Sequence, residues 1–190
     1  MKKKTAQLPD AASHPQVQRT RQALREGLLS LLKDKPLDQV THQELASRAK
    51  VGYASFFRHY SSKEVLLREI VQEHVTRLLA ATVPVVDDKD THAGCLVLCR
   101  HIDQNRDVWS TLVRAAPEML REELIGLTLQ KRPRKNRDQK WVAVELGTRV
   151  GVASMLEIVR WWMDDPQSLT VQQAAEVLNR MVVAPALKAS

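Results

Sequence analysis

Cysteine is scarce in this chain, glycine and aromatic residues are sparse, and long apolar runs are missing. Two cysteines among 190 residues exclude a disulfide scaffold and point to a reducing compartment. No apolar run approaches the roughly 18 residues that a membrane-spanning helix needs. Six scattered glycines leave no glycine-rich loop to cradle a phosphate. No stretch alternates apolar and polar residues as a half-buried strand would. Met1-Lys2-Lys3-Lys4 has the charge of a signal-peptide start, but Thr5 to Pro15 supplies no apolar segment behind it. The expectation is therefore a cytoplasmic chain.

What is present is unevenly spread. Residues 1–70 carry 13 Lys and Arg against 7 Asp and Glu, whereas residues 71–190 carry 16 against 15. Positive charge gathered in one terminal third is the footprint of polyanion binding. All four Phe and Tyr residues (Tyr53, Phe56, Phe57 and Tyr60) fall within eight positions, and the four Trp lie elsewhere.

Residues 1–15 are polar and without period, which reads as a disordered arm. Val17, Leu24, Leu28, Leu31 and Leu32 then predict a helix over about 16–33, ending before Pro36. Thr41-His42-Gln43-Glu44 and Ser61-Ser62-Lys63-Glu64 both fit the capping box that opens a helix. Between them, short helices are expected over about 41–48 and 52–59, joined by Ala49-Lys50-Val51-Gly52. Two short helices on so tight a turn form a helix-turn-helix. Ala46 and Ala49 are small where the helices cross, and Leu45, Val51 and Phe56 supply the apolar wedge. A long helix follows to about 80, then helices over about 91–104, 107–115, 118–130, 139–163 and 169–184. The fold class is all-α: a basic N-terminal module and a larger, nearly neutral bundle.

A helix-turn-helix in a basic context lays its second helix in the DNA major groove, N-terminal residues at base edges. Those residues are Gly52, Tyr53, Ala54 and Ser55. Gly52 permits close backbone approach, Tyr53 offers a hydroxyl or packs on a thymine methyl, and Ala54 offers only a methyl contact. Ser55 suits a phosphate. His59 and Lys63 lie one and two turns on, where a helix start and a cation make a phosphate site. Arg19, Arg21, Thr41, His42 and Lys50 surround it.

Thr41 to Leu67, THQELASRAKVGYASFFRHYSSKEVLL, resembles the DNA-binding domain of TetR-type transcriptional regulators. The family pattern is roughly T-x-x-x-(I/L)-A-x-x-A-G-V-S-x-G-(T/S)-(F/L)-Y-x-(H/Y)-F-x-(S/N)-K-(E/D)-x-L. Thr41, Leu45, Ala46, Ala49, Val51, Ser55, Phe56, His59, Lys63, Glu64 and Leu66 fit it without a gap. The resemblance implies that Tyr53 and Ala54 read bases and that Thr41, Ser55, His59 and Lys63 contact the DNA backbone. Lys50 stands where the family has Gly in the turn, and a non-Gly residue in a left-handed turn costs roughly 1 kcal/mol. Phe57 replaces a Tyr, losing a hydroxyl that commonly touches phosphate. Tyr60 stands where Phe is usual, so its hydroxyl needs a partner.

By resemblance, residues 16–62 are the helix-turn-helix domain and residues 63–190 a helical ligand-binding and dimerisation domain. The implied protein is a homodimeric repressor, released from a palindromic operator in double-stranded DNA by a small-molecule effector. Ala143, Gly147 and Gly151 form a small-residue stripe for close helix packing, between copies or within one chain. Ala174, Val177, Leu178 and Met181 make an apolar face on the last helix. Trp109, Met119, Trp141 and Met155 are candidate pocket residues, although such side chains are more often plain core. His92, Cys95 and Cys99 share a helical face but span about 10 Å, too far for one ion. They read as buried small apolar side chains rather than as a metal or redox site. Lys131 to Arg137 reads as a solvated loop, and Asp87-Asp88-Lys89-Asp90 as a linker and helix cap. No catalytic triad, nucleotide loop or zinc-hydrolase motif occurs, so no enzymatic activity, cofactor or metal is expected. The alternative is a helical metal or redox sensor, or an enzyme, using the C-terminal bundle.

Overall fold

The computed structural model describes residues 15–82, 90–131, 144–165 and 169–188. Among them the structure is helical, in two compact units that divide between Leu66 and Leu67. The proposed arm, the basic loop from Arg132 and the acidic linker up to Lys89 lie outside the described residues.

The first unit opens with helix α1 (Pro15–Leu32). Pro15, assigned above to the arm, is its first residue, where a missing N–H and a fixed φ suit a helix start. A 3-10 turn (Leu37–Gln39) leads to α2 (His42–Arg48) and α3 (Tyr53–His59). The first capping box forms: Thr41 Oγ1 accepts from the Glu44 N–H at 3.1 Å, and Glu44 Oε2 accepts from the Thr41 N–H at 2.9 Å.

The second box does not form. Helix α4 (Lys63–Thr82) begins one residue late, and its cap is Ser62, whose Oγ accepts from the Val65 N–H at 3.3 Å. The Ser62 hydroxyl hydrogen-bonds the Glu64 carboxyl instead and holds it below the usual carboxylate range. Two adjacent serines offer two registers, and the pattern Ser-x-x-Glu selects the wrong one.

Leu24, Leu28, Leu45, Phe56 and Leu66 are fully buried in this unit, and Tyr60 nearly so. Helices α1 and α2 meet backbone to backbone at Gly27, where an added Cβ would lie 3.3 Å from both Ala49 Cβ and Ala49 N. The close crossing was expected between the two short helices; the one found at Ala49 is instead with a glycine inside α1. Glycine there costs about 1 kcal/mol of helix propensity relative to alanine, a cost the close approach explains.

The second unit contains α5 (Thr91–Gln104), α6 (Arg106–Ala115), α7 (Pro117–Lys131), α8 (Val144–Asp164) and α9 (Val171–Leu178). Helix α5 packs on α9, and α8 packs on α6 and α7. Thr170 and Gln173 form a second genuine capping box at the start of α9, which the Ser/Thr-x-x-Glu/Gln rule finds. The last predicted helix is not uniform: α9 passes through a π turn (Asn179–Val183) into α10 (Ala184–Lys188). Pro185 has no N–H, and its ring crowds the carbonyl four residues back. The wider π turn accommodates that proline without ending the helix.

Trp161 and Trp162 diverge as neighbours on a helix must. Trp162 is buried, donating its indole N–H to the Leu169 carbonyl at 3.0 Å beneath the Arg106 guanidinium, while Trp161 is 54% exposed. Gly151 lies against Val182, whose Cγ1 would be 3.9 Å from an added Cβ, so this part of the small-residue stripe packs within the chain. Gly147 faces open space, and Ala143 lies outside the described residues. Ala174 and Leu178 are likewise buried inside the unit, whereas Met181 is exposed.

Replacing Gly27 with valine forces α1 and α2 apart. We expect a loss of about 2 kcal/mol in denaturant unfolding, with helical content by circular dichroism retained.

Candidate nucleic-acid interface

The turn between α2 and α3 is a Schellman motif. The Val51 N–H reaches the Ala46 carbonyl at 2.9 Å, and the Lys50 N–H reaches the Ser47 carbonyl at 3.0 Å. That pairing requires a left-handed residue after the cap Ala49, and Lys50 supplies it at φ 55°. It is the one non-glycine residue with positive φ among those described. The strain expected from the missing glycine is present, and the Lys50 side chain stands exposed. Gly52 then caps α3 without a side-chain bond, its carbonyl accepting from the Ser55 N–H at 2.8 Å.

Helix α3 presents Tyr53, Ala54, Phe57 and Arg58 to the outside, with Ser55 and His59 half-buried. Phe56 points inward and is fully buried. Tyr53 is 55% exposed and Phe57 45%, their rings edge-to-face at 5.3 Å. The aromatic cluster visible in the sequence therefore divides into a buried pair, Phe56 and Tyr60, and an exposed pair, Tyr53 and Phe57.

Several expected DNA contacts have other partners. The His42 ring sits 5.1 Å from both the Phe56 and the Phe57 ring, with its Nε2 buried and unpartnered. It wedges α2 against α3. Arg21 Nε donates to the Tyr60 hydroxyl at 3.1 Å, with the guanidinium over the Tyr60 ring, which answers the need for a partner there. The Thr41 hydroxyl donates to Glu44 Oε2 at 2.9 Å, so its proton is committed. Lys35 reaches Glu44 from the other side; together the two contacts hold the Glu44 carboxyl down at about 2.

Lys63 is the clearest departure. Its Nζ donates to the Val40 carbonyl at 2.6 Å and the Asp38 carbonyl at 3.2 Å, pinning the backbone that enters α2. An ammonium has three donors, so one remains for a phosphate. Arg48 is tied to the Ser30 hydroxyl. His59 is held below its ordinary range by burial first, then by the nearby Arg21 and Arg58 cations.

The candidate pocket residues scatter. Trp109 is 1% exposed and belongs to the core, with the His74 and His101 rings edge-on at 6.2 and 6.5 Å. Its indole N–H is buried and has no acceptor. Met119 and Met155 are half-buried, and Trp141 lies outside the described residues. Cys95 and Cys99 are free and buried, and burial pushes their thiols up to about 11 and about 12. Thiols so rarely ionised are slow to oxidise. His92 pairs with Glu176 at 3.4 Å, which ties α5 to α9. Among the described residues no cluster of three or more His, Cys, Asp or Glu could hold a metal ion, and no helix is long and apolar enough to cross a membrane.

This geometry is a helix-turn-helix of the kind that docks on duplex DNA, and known proteins agree. Residues 24–70 match the model of the tetR family of bacterial regulatory proteins. An uncharacterized HTH-type transcriptional regulator of Bacillus subtilis (strain 168), YxbF, is 29% identical over 68 residues. That match covers 36% of this chain and 18% of the relative's length. Among solved structures, a TetR transcriptional regulator from Streptococcus agalactiae 2603V matches with a TM-score of 0.66 and 24% identity, over 88% of this chain and 95% of that one. NalD of Pseudomonas aeruginosa, described as the secondary repressor of the MexAB-OprM multidrug efflux pump, matches at 0.62 and 17% identity, over 93% and 98%. At these identities the structures share the all-α fold with this chain.

Two substitutions separate strain from clamping. Lys50→Gly relieves the left-handed turn and is expected to raise stability by about 0.5–1 kcal/mol. Lys63→Met removes the carbonyl clamp and is expected to lower it by about 1–2 kcal/mol. Urea unfolding of the two variants measures both.

Proposed function

We propose that this protein is a cytoplasmic, sequence-specific DNA-binding transcriptional regulator that acts as a homodimeric repressor and is released by a small-molecule effector. The observation that carries the reading is the Schellman-capped turn, which projects Tyr53 and Ala54 from the start of α3 in a basic unit. Lys50, Ser55, His59 and the third donor of Lys63 are assigned to phosphates, with Gly52 allowing close approach. Arg21, Thr41 and His42 act by holding the helices that carry these contacts.

The dimer reading is supported by α8. Leu146, Val150 and Trp161 are exposed at intervals of four and eleven residues, which places them along one side of the helix. Gly147 beside them faces open space, and Met181 adds a large exposed apolar side chain. Such a stripe is costly in a lone monomer and fits a two-fold helix-packing interface. The effector reading is supported by the buried, acceptorless indole N–H of Trp109, which an oxygen-bearing apolar molecule would satisfy.

The test is selection from a random duplex pool at near-physiological salt, using the full chain and a Tyr53→Ala variant. A palindrome enriched only by the parent protein, with affinity falling steeply as salt rises, is the expected result. A folded dimer that enriches nothing would refute the reading.

Proton linkage gives an independent check. In the free protein burial, and after it the Arg21 and Arg58 cations, disfavour the charged form of His59. A phosphate beside it favours that form, so binding takes up a proton. Operator affinity is therefore expected to rise severalfold as pH falls below neutrality, and to level off once the free protein is itself protonated. His59→Gln should flatten this profile in binding titrations.

A further inference from the structure

Resting on the DNA-regulator reading, we propose that Tyr53, Ala54 and Phe57 read the operator through the C5-methyl groups of thymines rather than through hydrogen bonds to guanine or adenine. The argument starts from what the exposed side of α3 can offer. Bidentate reading of guanine takes Arg or Lys, and of adenine Asn or Gln. None of these occurs in Tyr53-Ala54-Ser55-Phe56-Phe57, the first five residues of α3. The exposed members of that stretch are two aromatic rings and one methyl. Tyr53 and Phe57 stand one turn apart with their rings in edge-to-face contact. Phe57 is further buttressed by His42 and Phe56, each 5.1 Å away. The aromatic edge is therefore a preorganised apolar surface.

The neighbouring cations do not fill the gap. Arg21 is bonded to the Tyr60 hydroxyl, Arg48 to the Ser30 hydroxyl, and Lys63 to two backbone carbonyls. Lys50 lies in the turn before α3, where a side chain meets the sugar-phosphate backbone. Arg58 is exposed, but it sits in the last turn of a seven-residue helix whose N-terminal end faces the bases. An apolar surface pressed into the major groove gains most where a methyl group projects to meet it, and thymine alone supplies one. Phe57 thus becomes a specificity residue, where a tyrosine would carry a hydroxyl for the backbone.

The operator obtained from the random pool is resynthesised with uracil in place of each thymine in turn. Uracil keeps Watson–Crick pairing and removes only the methyl. A second series replaces each guanine with 7-deazaguanine, which removes the N7 acceptor. For the unsubstituted chain, thymine-to-uracil changes at the positions facing α3 are expected to weaken binding about fourfold per methyl, compounded over two half-sites. The 7-deazaguanine changes there are expected to have no effect. In Tyr53→Ala and Phe57→Ala proteins, checked for folding by circular dichroism, thymine and uracil operators should bind alike. A half-site without thymine opposite α3, a uracil operator bound as tightly as the thymine one, or a 7-deazaguanine penalty abolished by Arg58→Ala would each overturn the inference while leaving the DNA-regulator reading intact. Failure to enrich any sequence would overturn both.

Discussion

The approach of α1 to α2 at Gly27 and Ala49 governs the first unit. Ala49 is both the point of contact and the C-cap of α2, so the packing fixes where α2 ends. A helix that must stop there, with the chain turning back, closes its carbonyls in a Schellman motif. That motif demands a left-handed residue, and Lys50 accepts the strain. Val51 and Gly52 complete the turn, and α3 leaves at an angle that buries Phe56 and exposes Tyr53 and Phe57. A larger side chain at Gly27 would shift this whole sequence of constraints, although it lies far along the chain from Tyr53 and Phe57.

Much of the polar chemistry around the helix-turn-helix holds helices together. Lys63 clamps the entry to α2, Arg21 anchors Tyr60, and Thr41 with Lys35 and Glu44 forms the α2 cap. Partly buried or multiply bonded donors of this kind are worth more to a small unit than isolated surface ion pairs. The consequence is a division of labour. Net positive charge gathers in the N-terminal third, while Tyr53 and Ala54 at the start of α3 stay exposed, outside these helix-holding contacts.

The second unit shows the same separation of core from surface. Cys95, Cys99 and Trp162 are interior packing, and burial disfavours ionisation of the thiols. Leu146, Val150 and Trp161 remain outside on α8. One helix thus carries Trp162 into its own core and Trp161 to its surface, because successive residues on a helix differ by about 100° in direction.

The sequence by itself determined the all-α class and the helix-turn-helix, because these rest on spacing and on neighbours a few residues away; strain at Lys50 was implied only by the resemblance, and the structure places it at φ 55°. It also marked Tyr53 and Ala54 as the start of α3. It pointed to Ser61 as the cap of α4, because Ser61-x-x-Glu64 fits the capping box, whereas in the folded chain the cap is Ser62. It could not show that His42 is a wedge, that Lys63 bonds to Asp38 and Val40, that Gly27 answers Ala49, or that Gly151 packs on Val182. Each of these pairs residues that local spacing does not connect, and a cation or a small residue looks the same in sequence whether its partner is a phosphate, a carbonyl or another helix. Only the folded chain decides which partner is within reach, because hydrogen bonds and close packing act over about 3–4 Å and sequence separation does not measure that distance.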